Sequence, residues 1–92
     1  MIVELDDFWQ QVLCRYAGGY LFCVQTSGNT VTCKFEIAEL DWKLAKEEVE
    51  HPECQVILKD YIVAMKTVQH FVALAKKDIG GRWQSPDYIR RK

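Results

Sequence analysis

Apolar residues recur between Pro52 and Ile79 at alternating steps of three and four. Residues with this heptad spacing lie on one face of an α-helix and can be buried together. Pro52 suits the first turn of a helix, and the pair Gly80–Gly81 permits the backbone conformation that ends one. The sequence therefore predicts one long helix over residues 52–79, with an apolar ladder of Cys54, Leu58, Tyr61, Met65, Val68, Val72, Ala75 and Ile79.

This predicted helix is long for the chain that contains it. About 27 residues at 1.5 Å each give a rod of roughly 40 Å, whereas a compact chain of 92 residues has a diameter of roughly 30 Å. The apolar stripe is therefore either the core of the same chain or a surface partly covered by a second copy or another protein. Val56, Val63 and Ala73 lie off the main stripe, which favours an additional contact.

The residues before the ladder predict a short first helix. Met1 to Leu5 form either a short strand or an extended lead-in. Asp6 or Asp7 caps the helix that follows, because Gln10 lies three residues after Asp7 in a capping-box arrangement. Gly18–Gly19 ends it. Its apolar face contains Phe8, Val12 and Tyr16, with Trp9 and Leu13 beside them.

Residues 20–37 predict an antiparallel β-hairpin. The second strand alternates strictly between apolar and polar residues, and a two-residue turn at Gly28–Asn29 keeps the apolar residues of both strands on one face. In that register Cys23 and Cys33 point to opposite faces and cannot form a disulfide. The predicted pairs are Val24 with Cys33, Phe22 with Phe35 and Tyr20 with Ile37. The face expected to pack on the long helix consists of Tyr20, Phe22, Val24, Val31, Cys33, Phe35 and Ile37.

Residues 38–50 predict a second helix with Ala38, Trp42, Ala45 and Val49 on one stripe. The fold class is therefore α+β. It comprises a helix, an antiparallel β-hairpin and two further helices, the last one long, and residues 1–5 can add a third short strand. The 92 residues are enough for one compact domain, and residues 82–92 are interpreted as a basic C-terminal tail.

Charge is distributed unevenly along the chain. Residues 1–53 carry ten acidic and four basic side chains, a net charge of −6, and residues 54–92 carry three acidic and eight basic ones, a net charge of +5. The N-terminal residues lack a basic, apolar export signal, and no apolar run is long enough to span a membrane. We therefore expect a cytoplasmic protein with reduced cysteines and no membrane partner.

Candidate chemistry is sparse. His51 and Cys54 lie three residues apart and could supply two metal ligands, but a structural zinc site requires four. His70 lies on the polar face of the long helix, some turns away from any cysteine, so a Cys–His nucleophile pair is not indicated. No glycine-rich phosphate loop is present. The sequence therefore predicts no catalytic site, no metal site and no cofactor.

The basic C-terminal region gives an alternative function. Lysine and arginine side chains there could neutralise phosphates, and two aromatic rings could stack on bases. The slightly acidic whole domain and the order of its elements argue against a standard nucleic-acid-binding module. The residues concerned are Arg82, Trp83, Tyr88, Arg90 and Arg91, with Lys76, Lys77 and Lys92.

Protein binding is the function that the sequence favours. Three Trp and four Tyr are many for a small domain without an active site, and such side chains anchor interfaces. The acidic run before the long helix is either a solvated face or a surface for a basic partner. We predict a non-enzymatic adaptor, accessory subunit or inhibitor that self-associates, or an acidic inhibitor that occupies a partner's nucleic-acid-binding groove. The candidate partner-binding residues are Glu47, Glu48, Glu50, Glu53, Val63, His70, Arg82, Trp83, Tyr88, Arg90 and Arg91.

Overall fold

The computed structural model describes residues 1–87 and has the predicted α+β class. Within residues 1–87, four antiparallel strands form one sheet in the order β1-β3-β2-β4, and three helices accompany it. The short N-terminal strand is therefore present. Tyr88, Arg90 and Arg91 lie outside the described residues. The elements are β1 (Ile2–Leu5), α1 (Phe8–Tyr16), β2 (Tyr20–Ser27), β3 (Thr30–Glu36), α2 (Glu39–Glu50), α3 (Leu58–Lys77) and β4 (Arg82–Gln84).

The predicted hairpin register is confirmed near the turn and is wrong beyond it. Val24 pairs with Cys33, as expected, but a β-bulge between Leu21 and Cys23 shifts the ladder by one residue. Leu21, rather than Phe22, therefore lies opposite Phe35. The tyrosine at the start of β2 pairs with Glu36 instead of Ile37. A bulge places two residues of one strand opposite a single residue of the partner strand. The side chains that precede the bulge therefore point to the other face of the sheet.

The bulge also changes which apolar residues pack under the helices. Leu21, Val24 and Phe35 belong to the main core. Phe22 and Cys23 belong to a separate buried cluster, so the prediction that Phe22 packs on the long helix is wrong. Cys23 and Cys33 do lie on opposite faces and are free thiols.

The long helix is shorter than predicted. It begins at Leu58, not at Pro52, and it ends at Lys77. The chain turns at His51, whose carbonyl oxygen accepts a hydrogen bond of 3.0 Å from the Cys54 backbone N–H. β-Branched Val56 and Ile57 follow, and they favour helix less than unbranched residues do. Twenty residues give a rod of about 30 Å, which does not overrun a molecule 43 Å in its longest dimension.

The centre of the predicted ladder is core and its ends are not. Val68 and Ala75 are fully buried, and Ala64 beside them is buried too. Leu58 and Ile79 are exposed, because the first starts the helix and the second lies beyond it. The stripe is therefore covered mainly by α1 and the sheet of the same chain.

Two specific contacts fix α1 on this core. The Asp7 carboxylate caps the helix by accepting a 3.0 Å hydrogen bond from the Gln10 backbone N–H, as the sequence predicts. The buried Gln11 side-chain amide donates to the Leu5 carbonyl oxygen at 2.9 Å and to the Val31 carbonyl oxygen at 3.0 Å. One side chain thus ties α1 to both β1 and β3.

The start of the predicted basic tail is a strand. Arg82–Gln84 pairs with β2 as β4, and Trp83 packs on the core with its ring stacked on Phe71 at 4.2 Å. Gly81 has a φ of +64°, and its carbonyl oxygen accepts hydrogen bonds from the backbone and hydroxyl of Thr26. A side chain at Gly81 would clash with that hydroxyl. Among the described residues, no helix is long and apolar enough to cross a membrane.

Candidate protein-binding groove

A concave surface lies between α1 and α2. It is a cavity of about 460 Å³, which we call the α1–α2 groove. Each helix contributes residues from one face, and these residues extend over about two helical turns. The α1 wall consists of Trp9, Gln10, Leu13, Tyr16 and Ala17, the α2 wall of Asp41, Leu44, Ala45, Glu48 and Val49, and the remaining lining of Cys54, Gln55, Val56 and Tyr61.

Trp9 dominates the α1 wall. The helix turns its Val12 side to the core, which leaves Trp9 on the outer side with more than half of its surface exposed. The Phe8 ring meets the Trp9 ring edge to face, with centroids 5.2 Å apart. This contact restricts the indole without burying it, so its apolar surface remains accessible to a ligand.

The α2 wall is held by Trp42. This residue is buried in the main core, and the Lys46 ammonium lies 5.4 Å from the centre of its ring. With Trp42 turned inward, Leu44 and Val49 line the groove. The helix thus carries more apolar residues than its one buried stripe requires.

The segment between α2 and α3 closes one part of the groove. The Tyr16 hydroxyl accepts a 3.1 Å hydrogen bond from the Ile57 backbone N–H. The Tyr16 and Tyr61 rings lie against each other with centroids 5.8 Å apart. These contacts connect residues 54–57 to both α1 and α3 and so position Val56 at the groove.

The apolar side chains of the groove are only half covered. Large apolar side chains of neighbouring elements are usually buried against one another. A cluster of half-exposed apolar side chains marks an interaction surface. The exposed fractions are 59% for Trp9, 45% for Leu44, 51% for Val49 and 44% for Val56.

The groove has an acidic border. Asp41 and Glu48 line it, and among residues 1–87 no Lys or Arg does. A second cavity of about 400 Å³ shares Glu48, Cys54 and Gln55 with it and adds Glu47 and Glu53. Within the described part of the chain, no Lys or Arg lines this cavity either. The acidic surface therefore continues from the α2 wall past the C-terminal end of that helix.

Several predicted partner-binding residues meet at this place. Glu47, Glu48 and Glu53 line the second cavity, beside the apolar groove. Glu50 is exposed at the end of α2 but does not line either cavity. Three of the four predicted glutamates thus form one surface, and Glu50 lies outside it.

The other predicted residues lie elsewhere. Val63 is exposed on α3, and His70 is exposed with its ring against Phe71. Arg82 and Trp83 are in β4, on the opposite edge of the sheet from β1. The structure does not bring them together with the acidic run.

Sequence reasoning missed the apolar half of the groove. The sequence predicts Trp9 beside a buried stripe and Val49 within one. The available signal was the surplus of apolar residues: α2 carries Leu40, Leu44 and Val49 in addition to Trp42 and Ala45. A twelve-residue helix on the surface of a small domain has no room to bury all five.

The thiols do not indicate a catalytic site. Burial raises the pKa of Cys14 to about 12. Burial, together with the neighbouring Cys23 and Cys14, raises the pKa of Cys33 to about 12. Both thiols therefore stay protonated, and weakly nucleophilic, at neutral pH. Within residues 1–87, no group of three or more His, Cys, Asp or Glu side chains is arranged to hold a metal ion.

Comparison with models of protein families, with curated proteins and with solved structures finds no match to this chain.

Proposed function

We propose that this protein is a protein-interaction module that binds a segment of a partner protein in the α1–α2 groove. The observation that carries the proposal is the cluster of half-exposed Trp9, Leu44, Val49 and Val56 along one groove. Tryptophan is the residue type most enriched among the side chains that dominate binding energy at interfaces. Binding at this surface would make the protein an adaptor, an accessory subunit or an inhibitor of its partner.

The shape of the groove favours a protein over a small molecule. Small-molecule sites enclose most of the ligand surface, so their apolar side chains face inward. Here the apolar side chains form the edges of the groove, and Trp9 exposes more than half of its surface. A partner that extends beyond the groove would cover these edges.

The charge of the groove argues against two other classes of ligand at this surface. Asp41, Glu47, Glu48 and Glu53 would repel the phosphates of nucleic acid and the headgroups of anionic lipid. The alternative function of nucleic-acid binding would therefore use the basic C-terminal region and leave the groove free.

Affinity capture with groove variants tests the proposal. Tagged wild-type protein, Trp9→Ala and Leu44→Lys would be incubated with an extract of the source cells, with and without nuclease, and bound proteins identified by mass spectrometry. We expect a stoichiometric partner that survives nuclease and is lost with both variants. Ile79→Lys is the matched control, because it makes the same charge change at a fully exposed apolar residue away from the groove.

Two results would contradict the proposal. A partner retained equally by Leu44→Lys and Ile79→Lys would bind at another surface. Material that disappears with nuclease would support the nucleic-acid alternative instead.

A further inference from the structure

We infer that the segment bound by the α1–α2 groove is a basic amphipathic helix of a partner protein. The inference rests on the proposed function and adds the conformation and the charge of the ligand. Three independent observations carry it: the length and walls of the groove, the absence of Lys and Arg from the described residues that line it, and the charge at the end of α2.

The walls of the groove fit a helix of about two turns. The α2 wall runs from Asp41 to Val49 and the α1 wall from Trp9 to Ala17. Each stretch spans eight steps of 1.5 Å, or roughly 12 Å. A partner helix can place apolar residues at positions i, i+3 or i+4, and i+7 over this length.

A helix also suits the chemistry of the walls better than an extended segment does. The groove lies between two helices and offers no free strand edge for main-chain pairing. An extended segment laid against Leu44, Val49 and Trp9 would lose backbone hydrogen bonds to water without replacement. A helix satisfies its backbone internally and presents only side chains.

The border of the groove selects the charge of that helix. Asp41 and Glu48 line the groove, and Glu47 and Glu53 line the adjoining cavity. No Lys or Arg of the part of the chain that the structure describes lines either cavity. Lys46, which directly precedes Glu47 in the sequence, lies over the Trp42 ring. Basic side chains flanking the apolar stripe of the ligand would therefore meet unpaired carboxylates.

The end of α2 strengthens this selection. The C-terminus of a helix carries a partial negative charge that normally favours basic residues in the last turn. The last turn of α2 contains no basic residue and includes Glu47, Glu48 and Glu50. This arrangement is unfavourable within the free protein, and local conflicts of this kind are expected at functional sites. A cation supplied by the partner would remove the conflict.

The charge also argues against a second copy packed face to face. A symmetric dimer places the same surface of both subunits together, so the acidic borders would meet. Like charges in contact oppose such an interface. Self-association, predicted from the sequence, would therefore use a different surface or a different part of the second copy.

Fluorescence anisotropy with defined peptides tests the inference. The probe is a labelled peptide of about 18 residues, long enough for partial helix formation, with Leu on one face and Lys on its flanks. A second peptide has Glu in place of Lys. We expect the Lys peptide to bind at least about tenfold more tightly than the Glu peptide, and its affinity to fall with added salt.

Protein variants locate the binding. Leu44→Lys should abolish binding of the Lys peptide. Removing two carboxylates with Glu47→Gln/Glu48→Gln should weaken it roughly fivefold, from two exposed ion pairs. The matched control Glu36→Gln/Glu39→Gln makes the same change in net charge away from both cavities and should leave the affinity unchanged.

The possible failures separate the inference from the proposed function. If both peptides bind equally and Leu44→Lys abolishes both, the groove binds amphipathic segments without charge selection, so the inference is wrong and the proposed function stands. If neither peptide binds, or the two double variants are equally weakened, the inference is wrong and affinity capture decides the function. A dimer in sedimentation analysis that Leu44→Lys dissociates would overturn the inference in favour of a second copy.

Discussion

The side chain of Gln11 is expected to contribute more to stability than any other polar group described here. Its amide is almost fully buried and donates to two carbonyl oxygens, those of Leu5 and Val31. Gln11→Met keeps the length of the side chain and removes both hydrogen bonds. The two carbonyl groups then remain in the interior with fewer partners.

The expected loss follows from these two contacts. Each buried group that loses its partner costs about 1–3 kcal/mol, partly offset by the greater burial of apolar atoms in methionine. We therefore expect Gln11→Met to lower the free energy of unfolding by about 2–4 kcal/mol. For a domain of this size, that lowers Tm by roughly 10–25 °C.

Urea unfolding monitored by tryptophan fluorescence measures the effect. Gln10→Met is the matched control, since its side chain is exposed and only its backbone N–H is used in the cap. Gln11→Glu should be worse than Gln11→Met at neutral pH, because a carboxylate would face two carbonyl oxygens. A loss below about 0.5 kcal/mol for Gln11→Met, the size of an ordinary surface substitution, would refute the reasoning.

Three further predictions concern the core. Gly19→Ala should cost about 1–3 kcal/mol, because a Cβ there would lie 2.8 Å from the Cys14 carbonyl oxygen, whereas Gly80→Ala should be tolerated, since it meets only the Asp78 side chain. The free energy of unfolding should fall as pH rises from about 9 to 12. The native protein keeps the protons of Cys14 and Cys33, whereas the unfolded chain loses them, so each thiol lowers the free energy of unfolding by about 1.4 kcal/mol per pH unit. Val68→Asp should unfold the protein, because that side chain is fully buried, whereas Val63→Asp on the exposed side of the same helix should not.

Each of these has a direct measurement. Urea midpoints compare the two glycine variants, and equal midpoints would contradict the steric argument. Midpoints between about pH 9 and 12 should fall less steeply for Cys14→Ala than for wild type. Cys54→Ser, at an exposed thiol, should follow wild type. Circular dichroism distinguishes the two valine variants, and a folded Val68→Asp would show that the centre of the ladder is not core.

Features of the fold that depend on short-range chemistry were predictable. The Asp7 cap, the Gly28–Asn29 turn and the pairing of Val24 with Cys33 follow from local residue preferences and strand alternation. The bulge was not predictable in the same way. Residues 21–24 are all apolar, so no alternation in β2 indicates where the ladder shifts.

The start of α3 and the groove depend on tertiary contacts. Heptad spacing continues back to Cys54, but the turn at His51 and the hydrogen bond from Ile57 to Tyr16 interrupt the helix. On α2, one pattern serves two purposes, because an apolar stripe for the core and one for a partner have the same spacing. Only the positions of α1 and α2 show that Leu44 and Val49 face a groove.

The bulge in β2 has a consequence for how this strand can evolve. Leu21 lies opposite Phe35 and Cys23 lies opposite Lys34, so β2 has one residue more than β3 at this point. Phe22 is buried there, and its carbonyl oxygen accepts a 2.8 Å hydrogen bond from the Ser85 backbone N–H. Deletion of Phe22 would remove that hydrogen bond and a buried aromatic side chain. A single-residue deletion elsewhere in β2 would instead turn the core-facing side chains on one side of the deletion to the outer face of the sheet. The length of β2 is therefore expected to vary little, because a deletion outside the bulge turns core residues outward and a deletion at the bulge removes the contact with the segment after β4.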